Sequence, residues 1–179
     1  MPRITTIGLL ACSLLVTSPW PTPAQSNSVT ERAALARALA GAWLPLESGL
    51  VLGSMQGTPI SAKYELEDGV LRLSVYALKP NASSADGFMK VFVDYSAGMI
   101  ARIEAQDDDD DDDLSAVQTQ QAAMAKATRS LAAVTAAAVY ANPGYRAVSA
   151  MPSLHGDDAV VEVILLRGDD WKVLSVPLN

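Results

Sequence analysis

Cysteine occurs once in these 179 residues, at Cys12, and histidine once, at His155. Cys12 lies inside an N-terminal apolar stretch, so a chain cleaved after that stretch has no thiol. Disulfides, thiolate metal sites and cysteine catalysis then drop out. Basic residues are few, 13 against 20 acids, and they are scattered. No patch exists to hold a phosphate backbone, and nucleic acid is not an expected partner. The Gly-x-Ser-x-Gly elbow, the Ser-x-x-Lys pair and the glycine-rich phosphate loops are all missing. These absences point away from an enzyme. The apolar run from Ile4 to Val16 is too short for a stable membrane span.

That run has another use. "MPRITTIGLLACSLLVTSPWPTPAQS" joins a basic start at Arg3, an apolar stretch and a proline-broken exit ending in "TPA". Residues 1–24 therefore read as a secretory signal peptide cleaved after Ala24, which predicts a periplasmic or secreted protein. "LLAC" faintly matches a lipoprotein box, which would make Cys12 a lipidated N-terminus. The apolar run continues through Leu14, Leu15 and Val16, where such a box normally closes it. Cleavage removes Arg3 and no acid, moving the formal net charge from −7 to −8; without the seven aspartates of 107–113 it stands at −1. The acidity is one local feature of a near-neutral protein.

Half the chain is hydrophobic, enough for a real core. In the segment 25–44, "TERAALARALAGAW" is rich in helix formers, with Thr30 as a cap. "LPLESGLVLGSMQG" suggests a second helix with Pro45 near its first turn, although Gly49 and Gly53 would each cost about 1 kcal/mol against alanine. "ISAKYELEDGVLRLSVYAL" alternates on both sides of Asp68-Gly69, the pattern of a hairpin. After a polar loop at 79–87, "FMKVFVDYSAGMIARIEA" predicts two more strands around a turn at Asp94 and Gly98. Beyond the acidic run, 115–140 reads as one long alanine-rich helix with Met124, Ala127, Leu131, Val134 and Ala138 in a stripe. Pro143 and Gly144 end it, and "YRAVSAM", "AVVEVILLR" and "WKVLSVPL" predict three strands. The expected class is α+β: two repeated units, each a helix packed on a small antiparallel sheet, at 45–105 and 114–179, joined by an acidic linker at 106–113.

The repeated unit resembles the PepSY family. The second half carries the likeness in "ANPGYRAVSAMPSLHGDDAVVEVILLRGDDWKVLSVPLN", read as helix, "PG" corner, strand, turn, "EV" strand and closing strand. The first half is similar through "ISAKYELEDGVLRLSVYAL" and "MKVFVDYSAGMIARIE", with Gly98 one residue later than the commonest spacing. The resemblance implies a small α+β module found in metalloprotease propeptides and envelope proteins, with an inhibitory or regulatory role toward peptidases. It transfers no catalytic residue.

Candidate sites are thin. Asp107, Asp108, Asp109, Asp110, Asp111, Asp112 and Asp113 form an unbroken run. A good calcium loop staggers carboxylates around a glycine and a carbonyl, and this run has neither. Weak, diffuse binding of a divalent cation such as calcium is the alternative to a solvated tether, whose self-repulsion keeps it extended. Asp113 or Ser115 would cap the following helix. His155 with Asp157 and Asp158 would be a sparse ligand set at a turn. Glu65, Glu67 and Asp68 read as the polar face and tip of a hairpin rather than an acid–base pair. Met55, Met89, Met99, Met124 and Met151 are dispersed and read as core filling, and Trp43 and Trp171 as core or edge anchors. The expected function is a non-enzymatic binding module that modulates another envelope protein, a peptidase by resemblance, through an exposed strand edge. The alternative is a periplasmic cation-responsive sensor or carrier that uses the aspartate run. A third reading is a stability module without a ligand.

Overall fold

The structure is a computed structural model that describes residues 29–80, 87–105 and 111–179. The signal-peptide and Cys12 readings, the tip of the 79–87 loop and Asp107–Asp110 lie outside the described residues.

Two short helices come first, α1 (Val29–Leu39) and α2 (Leu46–Ser54). Alanine, leucine and arginine favour α1, with Glu31 in its first turn and Arg37 in its last, where each complements the helix dipole. Pro45, in extended conformation, stands at the N-cap of α2. A four-strand meander follows: β1 (Thr58–Glu67), β2 (Val70–Leu78), β3 (Phe88–Asp94) and β4 (Met99–Ala105). Asp68 and Gly69 both have positive φ, 52° and 75°, the hairpin geometry that the Asp-Gly pair predicts. After α3 (Asp111–Lys126) and α4 (Leu131–Tyr140), a three-strand meander closes the chain: β5 (Arg146–His155), β6 (Asp158–Arg167) and β7 (Asp170–Pro177).

All seven strands join one antiparallel sheet, in the order β4-β3-β2-β1-β5-β6-β7. The halves meet at the β1–β5 junction, where Ala62 pairs with Ala150 and Lys63 with Ser149. The registers of the two first hairpins are related by a shift of 88 positions. Thr58↔Leu78 corresponds to Arg146↔Leu166, and Glu67↔Val70 to His155↔Asp158. The bulges correspond as well, between Pro59 and Ser61 and between Ala147 and Ser149.

One face of the sheet presents Ala62, Leu73, Val75, Val91, Ala150, Val161 and Val163 to a core shared with α2 and α4. Leu35, Leu39, Ala42 and Leu44 belong to the same core. The described part of the N-terminal segment 25–44 is thus part of the packed body. The other face carries a smaller cluster of Ile60, Phe88 and Val117, which brings α3 against the sheet from the opposite side.

The single helix expected over 115–140 is two helices. Ser130 accepts a hydrogen bond from the Ala133 N–H and starts α4 as an N-cap. The N–H groups of Thr128 and Arg129 donate to the Leu178 carbonyl, so the C-terminal segment takes the donors that would have continued the helix. The break moves the chain from one face to the other, and the Met124–Ala138 stripe is not continuous. Ser130→Ala should lower stability by about 1 kcal/mol in urea unfolding, the usual cost of a lost N-cap. The helix also starts before Ser115, inside the stretch read as linker: Asp111, Asp112 and Asp113 lie in its first turn.

Candidate functional site

The open part of the second face, over β2, β3 and β4, holds a group that the sequence does not announce. Period-two alternation puts Arg72, Ser74 and Tyr76 of β2 beside Lys90 and Phe92 of β3 and Arg102 and Glu104 of β4. Phe92 is only 5% exposed, although α3, the described helix on this face, packs mainly on β1, β5 and β6. Cations cover it instead. The Arg102 guanidinium stands 3.9 Å from the ring centroid, the Lys90 ammonium 4.8 Å and the Arg72 guanidinium 5.9 Å. A ring face attracts each of these charges, by about 0.5–1 kcal/mol at an exposed site. Lys90 also lies 5.6 Å from the Tyr76 ring.

Carboxylates tie the cations in place. Arg72 pairs with Glu67, Arg102 with Glu104 at 3.1 Å, and Glu65 with both Lys63 at 2.6 Å and Lys90 at 3.4 Å. Ser74 donates to the same Glu65 carboxylate. Partial burial pushes the Glu65 carboxyl up, but the Lys63 hydrogen bond and the charges of Lys63 and Lys90 outweigh it. The group titrates below the ordinary carboxylate range. An open concavity of about 290 Å³ lies beside Phe92, with Arg72, Asp94, Ser96, Ala101 and Arg102 on its wall. The Asp94 carboxylate accepts from the Ser96 hydroxyl and from the N–H groups of Ser96 and Ala97, which hold the β3–β4 turn and keep its pKa below the usual value. Trp43 braces the turn from outside by donating its indole N–H to the Ser96 carbonyl at 2.6 Å.

β4 ends the sheet. All its residues but Ile100 are exposed, and no described residue pairs with its outer side. The other edge, β7, carries Pro177, which has no N–H to offer, and Lys172, which donates to Asn142. β4 has no proline and shows Met99 and Ile103 to solvent.

The sequence-derived candidates are not brought together. His155, at the end of β5, is exposed, and Asp157 beside it pairs with Lys126 at 3.3 Å. Glu65 and Glu67 each bind cations, and Asp68 occupies the hairpin turn. Among the described residues no three His, Cys, Asp or Glu side chains converge to hold a metal ion. Asp111–Asp113 lie in the first turn of α3. Met89 is buried, but Met55 and Met99 are exposed, against the expectation of core filling, because they follow the end of α2 and open the edge strand. Trp171 is half-buried beside Arg32 of α1.

A second polar group joins the halves at the far end of β1. Tyr64 donates its hydroxyl proton to the Leu44 carbonyl at 2.6 Å, and the Arg146 guanidinium lies 5.5 Å from its ring. Burial pushes the phenol up to about 12, and Arg146 opposes the shift only in part. The unfolded chain releases this proton near pH 10, so Tyr64 stabilises the fold fully below that pH and loses its contribution as pH rises toward 12. Through that window wild type should lose stability relative to Tyr64→Phe by about 1.4 kcal/mol per pH unit, measured by urea unfolding at stepped pH.

No family model, no curated protein and no solved structure matches this chain. Among the described residues no helix is long and apolar enough to cross a membrane.

Proposed function

We propose that this chain is an exported, non-enzymatic binding module that modulates another envelope protein by accepting an extended segment on its sheet. The observation that carries this reading is the outer side of β4, an exposed strand without proline at the end of a seven-stranded sheet. Unpaired backbone N–H and C=O groups on such a strand hydrogen-bond to an added strand, and the flanking side chains choose which segment fits. The Phe92 face, with its three cations, gives β4 such flanking chemistry.

The reading includes a chain built from two PepSY-like units. The shared shift of 88 positions in hairpin register and bulge supports it, as does the central pair Ala62–Ala150, whose members are equivalent under that shift. Each unit then has two helices rather than one before its strands, and the two sheets run into one. The partner named by this reading is a peptidase.

Affinity capture tests it. The tagged chain is incubated with an envelope extract, with calcium or with a chelator, and bound proteins are identified by mass spectrometry. A peptidase recovered equally in both conditions, and altered in activity by the purified chain, is the expected result. Recovery that depends on calcium would turn the reading toward the aspartate run, and absence of any specific protein would overturn it.

A further inference from the structure

Resting on the reading of β4 as an acceptor edge, we propose that it selects a segment with the pattern basic–apolar–acidic, read from N to C terminus. The register fixes this pattern. Arg102 lies opposite Phe92 and Glu104 opposite Lys90, so both charged side chains are on the cation face of the sheet. Ile103 lies opposite Val91 and is therefore on the core side, where it is 45% exposed for want of a neighbour. A strand added beyond β4 places three consecutive residues next to Glu104, Ile103 and Arg102. Opposite charges directly across a strand pair stabilise it, and like charges oppose it. A basic residue fits beside Glu104, a branched apolar residue covers Ile103, and a carboxylate meets Arg102.

The carboxylate position is the stronger of the two charged ones. Arg102 gives Nη1 to Glu104 and lies on Phe92, at the wall of the concavity that also holds Arg72. An acidic side chain reaching over Arg102 therefore meets a guanidinium at the rim of that concavity. The direction follows from the sheet, which is antiparallel at every pairing, the more stable mode per residue. The bulge in the β3–β4 ladder, where Phe92 pairs with Arg102 and Val93 with Ile100, twists the edge away at Ala101. It confines the added strand to the stretch 102–105, so the recognised core is short.

The test uses a fluorescent synthetic peptide, Ser-Thr-Lys-Val-Glu-Thr-Ser, and the full chain, with binding read by anisotropy. Its reversed sequence, Ser-Thr-Glu-Val-Lys-Thr-Ser, and a copy N-methylated at alternate backbone nitrogens serve as controls. Saturable binding of the first peptide, weaker by tenfold or more for both controls, is expected. The double variant Arg102→Glu/Glu104→Arg should exchange the preference, favouring the reversed sequence. Glu104→Lys alone should weaken the first peptide, with circular dichroism showing that each variant keeps its fold. Equal binding of the two sequences, a preference unmoved by the double variant, or no binding of the first peptide would overturn the pattern. A peptidase captured equally by the charge-exchanged chain would leave the broader binding reading standing while this one falls. Peptide selection without any captured partner would do the reverse.

Discussion

Arg146→Ala is expected to lower stability by about 3 kcal/mol, the upper end for a single charged hydrogen-bonding group. The guanidinium donates through Nη1 to the carbonyls of Leu39 and Ala42, at 2.8 and 2.7 Å, and through Nη2 to that of Leu44 at 3.1 Å. These acceptors are the last residue of α1 and the connection to α2, and all three residues, Leu39, Ala42 and Leu44, contribute to the core. Helix C-terminal carbonyls have no partner within the helix and attract cations through the dipole. Alanine would take this donor from three carbonyls in a half-buried place, leaving Leu39 with only the Ala42 N–H and Leu44 with only the Tyr64 hydroxyl. It would also expose the Tyr64 ring and weaken the setting of the Tyr64–Leu44 hydrogen bond. Lysine should recover less than half the loss, because one ammonium group cannot reproduce the planar fork that spans three acceptors. Urea unfolding of wild type, Arg146→Ala and Arg146→Lys measures both effects. Equal stability of the lysine variant and wild type would show that charge alone suffices.

The second large effect reverses a rule of helix propensity. On an exposed helix, replacing glycine with alanine gains about 1 kcal/mol. In α2 the same change at Gly49 or Gly53 should destabilise, by about 1–3 kcal/mol each. A Cβ on Gly49 would stand 2.6 Å from Leu73 Cδ2, and one on Gly53 would stand 2.6 Å from Val75 Cγ1. Leu73 and Val75 are fully buried on neighbouring same-face positions of β2. They cannot retreat without disturbing the core shared with α4. The two glycines are one turn apart on the face of α2 that lies on the sheet, so the helix sits lower there than any side chain would permit. Thermal and urea unfolding of the single variants should show losses. Gly49→Ala with Leu73→Ala should be less unstable than the sum of its parts, because the smaller residue makes room.

Strands were legible in the sequence because their period is two and their turns carry chemistry that admits few alternatives. Asp68-Gly69 and Asp94 with Gly98 occupy the turns expected of them. The alanine-rich stretch was not legible in the same way. Its helical pattern continues through 127–130, and the break depends on the Leu178 carbonyl, which lies far along the chain. Gly49 and Gly53 read as defects because their compensation lies in Leu73 and Val75. The Phe92 group was missed for a related reason. Arg72, Lys90 and Arg102 each look like an ordinary polar position of an alternating strand. Only the register between three strands gathers them around one ring. A hairpin register deduced from the Asp68-Gly69 and Asp94–Gly98 turns would have aligned all three, and that is the signal the residues themselves contain.

The β1–β5 junction has a consequence for the order of folding. Within each meander the pairings join strands consecutive in sequence, whereas Ala62–Ala150 and Lys63–Ser149 join residues most of a domain apart. Loop-closure entropy opposes such distant contacts until something rewards them. Two strand pairs are too small a reward alone, and burial of α2 against α4 must arrive with them. Docking of the two meanders is therefore the expected slow step of folding, and the Arg146 fork across their boundary is expected chiefly to lengthen the lifetime of the assembled state.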